Sequence, residues 1–98
     1  QLLDAHRPDV VLDDGAVRID SRHLGAGYGL PTAQTLEAIR LAASLEGVLF
    51  DPVYSGKAAA GLIDLIRKGQ FTRGQRLLFL HTGGAIGLTG YTHVLPHA

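Results

Sequence analysis

With 98 residues, 46% hydrophobic and 18% charged, the chain is long enough for one small packed domain, and disorder over most of its length is excluded. Nine basic side chains balance nine acidic ones, and Arg67, Lys68, Arg73 and Arg76 are mixed with glycine rather than aromatics, so nucleic acid is not an expected partner. Without cysteine there are no disulfides or thiolate metal sites, which fits the cytoplasm, and no apolar run approaches the roughly 20 residues that span a bilayer, so no membrane role is expected.

The chain opens Gln1-Leu2-Leu3-Asp4, with no basic segment leading into an apolar one, and secretion is not indicated. The lack of an initiator methionine, and of any methionine, points to a start that is not the start of a gene, although methionine processing produces the same end. From Pro8 to Arg22 short apolar bursts, Val10-Val11-Leu12 and then Val17 and Ile19, flank the turn-prone Asp13-Asp14-Gly15 and predict two short strands. Leu24-Gly25-Ala26-Gly27-Tyr28-Gly29-Leu30-Pro31, with three glycines in five positions, reads as backbone turning sharply around something.

A helix is predicted from about Thr32 to Glu46, capped by Thr32, stopped by Gly47, with Leu36, Ile39, Ala42 and Ala43 as its buried stripe. Val48-Leu49-Phe50 reads as a short buried strand ended by Asp51-Pro52. A second helix runs from about Gly56 to Lys68, with Ser55 as cap, Ala59, Leu62, Ile63 and Ile66 inward, and Gly69 as stop. The apolar run in Arg76-Leu77-Leu78-Phe79-Leu80-His81 predicts a strand covered on both faces. Helix, strand, helix, strand is the order of an α/β domain in which a parallel sheet is joined by crossover helices.

Thr82-Gly83-Gly84-Ala85-Ile86-Gly87-Leu88 follows the most buried strand, where ligands settle in open α/β sheets. An ordinary strand-to-helix turn also tolerates glycine, and spacing alone leaves both readings open. It is no dinucleotide fingerprint, and Ser55-Gly56-Lys57-Ala58 is no phosphate loop, because Asp51 stands where the first glycine belongs and Ala58 where a hydroxyl belongs. Lys57 therefore reads as a solvated residue at a helix start, and His81 as a hydrogen-bonded core residue. The histidines, His6, His23, His81, His93 and His97, form no helical metal pair. Tyr28, flanked by glycines, has a ring and hydroxyl reachable from a loop, or else plugs the core.

Five segments together carry a resemblance. Gly25-Ala26-Gly27-Tyr28-Gly29-Leu30-Pro31, the block Asp51-Pro52-Val53-Tyr54-Ser55-Gly56-Lys57-Ala58 and His81-Thr82-Gly83-Gly84, with Glu37-Ala38-Ile39-Arg40 and Gly61-Leu62-Ile63-Asp64 between them, resemble the C-terminal third of the D-cysteine desulfhydrase and 1-aminocyclopropane-1-carboxylate deaminase family, over about Val17 to Gly87. The resemblance implies one partial α/β domain, residues 1–98, forming the C-terminal piece of the large domain of a tryptophan synthase β-like enzyme that uses pyridoxal 5'-phosphate. It implies that Tyr28 faces the substrate as a catalytic residue, that Thr82 lies near the cofactor's pyridine nitrogen, and that Gly83 and Gly29 belong to the cofactor site. The deaminases place a glutamate after that tyrosine where this chain has Gly29, so the resemblance leans toward β-elimination from D-cysteine, giving pyruvate, ammonia and sulfide, with 1-aminocyclopropane-1-carboxylate deamination as the alternative.

In the family the lysine that binds the cofactor precedes this region, and of Lys57 and Lys68 the first aligns with a lysine that is not the anchor. By that resemblance the segment alone is inactive, its partners are a small amino acid and the remainder of its own chain, and the full-length protein is a homodimer. The rival reading is a non-catalytic truncated homologue that binds a partner chain. The tail from Thr89 to Ala98 departs from the family pattern and is expected to fray.

Overall fold

The structure, a computed structural model, describes residues 9–95, so His6, Pro8, His97 and the tail from Pro96 lie outside the described residues. Two α-helices organise it, α1 at Ala33–Glu46 and α2 at Ser55–Arg67, followed by a 3-10 helix at Ala85–Tyr91. The predicted ends of α1 hold. The Thr32 hydroxyl accepts from the Thr35 amide at 3.1 Å, and Gly47, at φ 65°, closes the helix by donating to the Ala43 carbonyl at 3.2 Å. Its inner face is rotated from the predicted stripe: Thr35, Ala38 and Ile39 are buried, while Leu36, Ala42 and Ala43 are half-buried.

α2 starts one residue before its predicted beginning, and Ser55 is its first residue rather than its cap. Its buried positions are Ser55, Gly56, Lys57, Ala59, Ala60 and Gly61, whereas Leu62 and Ile63 are half-buried and Ile66 is exposed. Small residues let the helices approach: a Cβ on Gly56 would stand 3.0 Å from Cγ1 of Ile39. Ala38, Ala59 and Ala60 form the centre, with Phe50, Ile63 and Phe79 packed against it. Arg67 and Glu37 join the helices at the surface through two hydrogen bonds of 2.7 and 3.0 Å.

No strand forms among the described residues. The predicted turn at Asp13-Asp14-Gly15 closes, with the Ala16 amide donating to the Asp13 carbonyl at 3.1 Å, but the strands expected at 10–12, 17–19, 48–50 and 76–81 are absent and Leu78 and Leu80 are 94% and 78% exposed. A strand exists only through hydrogen bonds to a neighbour, and apolar residues alone cannot supply one. The segments at 48–50 and 77–81 touch through side chains instead: the Phe50 ring lies 5.3 Å from Phe79 and 5.0 Å from His81. The parallel sheet expected from the sequence is thus not present among these residues.

The buried hydrophobic side chains here are Ala38, Ile39, Ala59 and Ala60. None of the helices is long and apolar enough to cross a membrane among the described residues.

Candidate functional site

Two glycine-rich loops converge on the turn that starts α2. In the first, Gly25 at φ 74° and Gly29 at φ 71° bend the chain around Tyr28, whose side chain is 79% exposed. The Tyr28 hydroxyl lies 2.6 Å from that of Tyr54, and the rings meet edge to face with centroids 5.9 Å apart. Tyr28 is therefore no plug over the core. From the other side the Tyr91 hydroxyl donates to the Gly29 carbonyl at 2.8 Å, so the tail expected to fray is held by a 3-10 helix through Tyr91.

Lys57 corrects the sequence reading. It is buried rather than solvated, and its ammonium donates to the carbonyls of Leu24 at 2.6 Å and Gly27 at 2.9 Å, tying the tyrosine loop to the first turn of α2. Two charge-assisted bonds take the place of hydration. Lys68, the second lysine, pairs with Asp64 at 2.7 Å on the surface, beside His23.

Asp51 holds the turn itself. It is 2% exposed, and its carboxylate accepts from the amides of Val53 at 2.8 Å, Tyr54 at 2.7 Å and Ser55 at 2.9 Å and from the Ser55 hydroxyl at 2.6 Å. The Ser55 oxygen in return accepts from the Asp51 amide at 2.8 Å. The carboxylate thus binds the amides of the turn that leads into α2 and of its first residue, and the Asp51 carbonyl accepts from the Gly56 amide at 2.8 Å, so Asp51 does at this helix start what the sequence reading gave to Ser55. Burial pushes the Asp51 carboxyl up, but the Ser55 hydroxyl and the amides of Tyr54, Ser55 and Val53 outweigh it and hold the group below its ordinary range.

The second loop packs on this carboxylate. Gly84 sits at φ 95°, and a Cβ there would stand 2.6 Å from Oδ1 of Asp51. Gly83, at φ 110°, faces open space, with nothing within 4 Å of a Cβ. Thr82 is exposed. His81 is hydrogen-bonded as expected but exposed rather than in the core: its Nδ1 accepts from the Gly83 amide at 3.2 Å, so Nε2 carries the proton and donates to the Leu49 carbonyl at 2.9 Å.

The structure therefore ties the loops of Tyr28 and Gly29 and of Thr82 and Gly83 to one turn, the first through Tyr54 and Lys57 and the second through Asp51. Sequence reasoning missed Asp51, Tyr54 and Tyr91. The spacing of Asp51 from Ser55, with Pro52 after it, is the signal that marks Asp51 as a helix-start residue. Tyr54 and Tyr91 carry no such signal, because their partners lie 26 and 62 residues away. Tyr54 holds its proton more tightly than an ordinary phenol, chiefly through the hydrogen bond to Tyr28 and secondarily through desolvation.

The second loop leaves open space beside Gly83 for a bound group. Gly83 offers unobstructed backbone and Thr82 an exposed neutral hydroxyl able to donate to a ring nitrogen. No group of three or more His, Cys, Asp and Glu side chains that could hold a metal ion occurs among the described residues.

The family model described as pyridoxal-phosphate dependent enzyme matches residues 3–83. Among curated proteins, the chain is similar to a 1-aminocyclopropane-1-carboxylate deaminase of Burkholderia vietnamiensis, 47% identical over 94 residues that cover 96% of this chain and 27% of that protein. It is similar also to those of Burkholderia multivorans, 49% identical over 83 residues (85% and 25%), and Burkholderia cenocepacia, 50% identical over 86 residues (88% and 25%). The chain spans about a quarter of the length of the curated relatives it matches.

Proposed function

The chain belongs to the family of pyridoxal-phosphate dependent enzymes, and from that premise we propose that it is the C-terminal portion of a lyase that deaminates 1-aminocyclopropane-1-carboxylate. The observation that carries this reading is identity of 47–50% to proteins of that name across nearly the whole chain. The preference for D-cysteine rested on Gly29 standing where the deaminases have glutamate. Gly29 is demanded by its backbone, at φ 71° with the Tyr91 hydroxyl 3.1 Å from where a Cβ would lie, so its identity reports loop geometry before it reports substrate. D-cysteine becomes the second reading.

Pyridoxal phosphate supplies an electron sink for the amino acid joined to it. The residues of this chain contribute orientation and proton control. In this reading Thr82 would donate its hydroxyl to the ring nitrogen, Gly83 would leave room for the cofactor beside its loop, Gly29 would border the cofactor site from the tyrosine loop, and the Tyr28 phenol would hold or move a proton at the substrate. The lysine that binds the cofactor lies elsewhere in the polypeptide. This is supported by the engagement of both lysines present: Lys57 is buried on two carbonyls and Lys68 is paired with Asp64. The remainder of the protein completes the tryptophan synthase β-like sheet by supplying strands beside 48–50 and 76–81, and the cytoplasmic location and the homodimer belong to the same proposal.

The test is to assay the complete polypeptide with 1-aminocyclopropane-1-carboxylate and, separately, with D-cysteine. Ammonia from the first without sulfide from the second supports deamination. Sulfide from D-cysteine with no turnover of the cyclopropane substrate gives the second reading instead, and silence with both, cofactor bound, leaves the non-catalytic homologue.

A further inference from the structure

His23 has no place in the roles assigned above, yet its side chain is only 21% exposed and ties the chain entering the tyrosine loop to α2, 41 residues on. We propose that His23 is a positioning residue: its hydrogen bond to Asp64 fixes the entry of the loop that carries Tyr28 and so holds that phenol in register with the substrate. The inference rests on the reading of Tyr28 as the group that handles the substrate's proton.

Three observations support it. The two ends of the loop are fixed by different means. Its exit runs through Thr32 into the capped start of α1, whereas residues 16–24 before its entry form neither helix nor strand. Within that stretch Asp20 and Arg22 bond to each other, while His23 reaches across to α2. The second observation is the direction of the bond. Lys68 first and His23 second hold the Asp64 carboxyl below its ordinary range, so the acceptor is charged. An ionised carboxylate only accepts, so Nε2 of His23, 3.0 Å from Oδ2 of Asp64, carries the proton and donates it into the bond. Nδ1 stands 3.7 Å from Oδ1 of Asp20, beyond hydrogen-bond reach. Third, α2 has room for the ring where a side chain would crowd it: a Cβ on Gly61 would stand 3.1 Å from Nδ1 and 3.2 Å from Cγ of His23. Lys57, Gly61 and Asp64 lie on one stripe of α2, at spacings of four and three residues. That stripe receives His23 and then, through Lys57, the carbonyls of Leu24 and Gly27, so the loop is seated from its entry up to the residue before Tyr28.

The experiment compares His23→Phe, His23→Gln, Asp64→Ala and the double variant His23→Phe with Asp64→Ala in the complete cofactor-loaded enzyme, with hydrogen exchange on the same proteins. Phenylalanine keeps a ring over Gly61 and removes the donor, and glutamine returns an amide donor toward Asp64. We expect His23→Phe to lower kcat about tenfold, with KM within about twofold and the cofactor's absorbance spectrum unchanged. His23→Gln should recover to within about threefold of the parent, and Asp64→Ala should cost little more in the His23→Phe background than in none. Full kcat in His23→Phe, no recovery in His23→Gln, an effect on KM alone, or losses that multiply in the double variant overturn the inference. If the enzyme turns over neither substrate, the functional reading fails separately and exchange still decides the contact. Exchange about tenfold faster at residues 24–29 in His23→Phe, and restored in His23→Gln, sustains it. No acceleration there, or one spread equally over α1 and α2, overturns it.

Discussion

Asp51→Asn removes the charge from the carboxylate that holds the start of α2 while preserving its shape. In the structure one oxygen accepts the amides of Val53 and Tyr54 and the other accepts the amide and hydroxyl of Ser55, all between 2.6 and 2.9 Å. An asparagine amide turns its NH2 toward one of these donor pairs, so two bonds are lost and two donors face a third. Hydrogen bonds to a charged partner contribute roughly 1.5–3 kcal/mol each, and re-orientation recovers part, so the local loss is about 3 kcal/mol. Native-state hydrogen exchange of the Val53, Tyr54 and Ser55 amides in the complete protein should accelerate by about 150-fold, since about 1.4 kcal/mol is tenfold. The pH dependence follows in sign. The Asp51 carboxyl is held below its ordinary value of 3.8, so its contribution is fully present above the unfolded value and disappears as pH falls through the lower folded one. The variant should lack that acid-sensitive component. Exchange within threefold of the parent, or an unchanged acid profile, refutes the assignment of Asp51 as the residue that organises the turn.

Lys57→Met leaves the carbonyls of Leu24 and Gly27 buried against a thioether; the tyrosine loop should loosen by about 2 kcal/mol, measured as faster exchange at residues 25–30 and as a fall in kcat of the complete enzyme. Gly84→Ala forces a Cβ to within 2.6 Å of the Asp51 carboxylate at a left-handed φ, and should destabilise by about 3 kcal/mol in thermal unfolding, whereas Gly83→Ala, with open space around it, should show only backbone strain of about 1 kcal/mol and weaker cofactor binding in fluorescence titration. Removing the Arg67–Glu37 pair by Glu37→Gln should change the melting temperature by less than a degree or two and less still in high salt, because both side chains are about half exposed.

Much of this protein was legible in the linear sequence because it is local. Thr32 and Gly47 bound a helix by capping chemistry that spans a few residues, and that helix begins and ends where those residues place it. The Asp51 to Ala58 block and the Tyr28 and Thr82 loops are read the same way, as residue types at fixed spacing, and they sufficed to identify the cofactor family that the match over residues 3–83 establishes. Strand formation was not legible from Leu77 to Leu80, since an apolar run specifies a buried environment but not the neighbour that makes a ladder. Lys57 was misread for a related reason: a lysine at a helix start is solvated unless something folds over it, and the carbonyls that do so come from 30 and 33 residues earlier. The sequence-based lean toward D-cysteine used Gly29, whose backbone angle and Tyr91 neighbour are invisible to composition, while the proposed deamination rests on the named relatives. Local hydrogen bonding and cap chemistry are written in neighbouring residues and were determined by the sequence itself. The pairing of Tyr28 with Tyr54, the burial of Lys57 and the seating of Gly84 on Asp51 join segments distant along the chain, and only the tertiary structure decided them, because nothing in one segment encodes which atoms the other will bring within 3 Å.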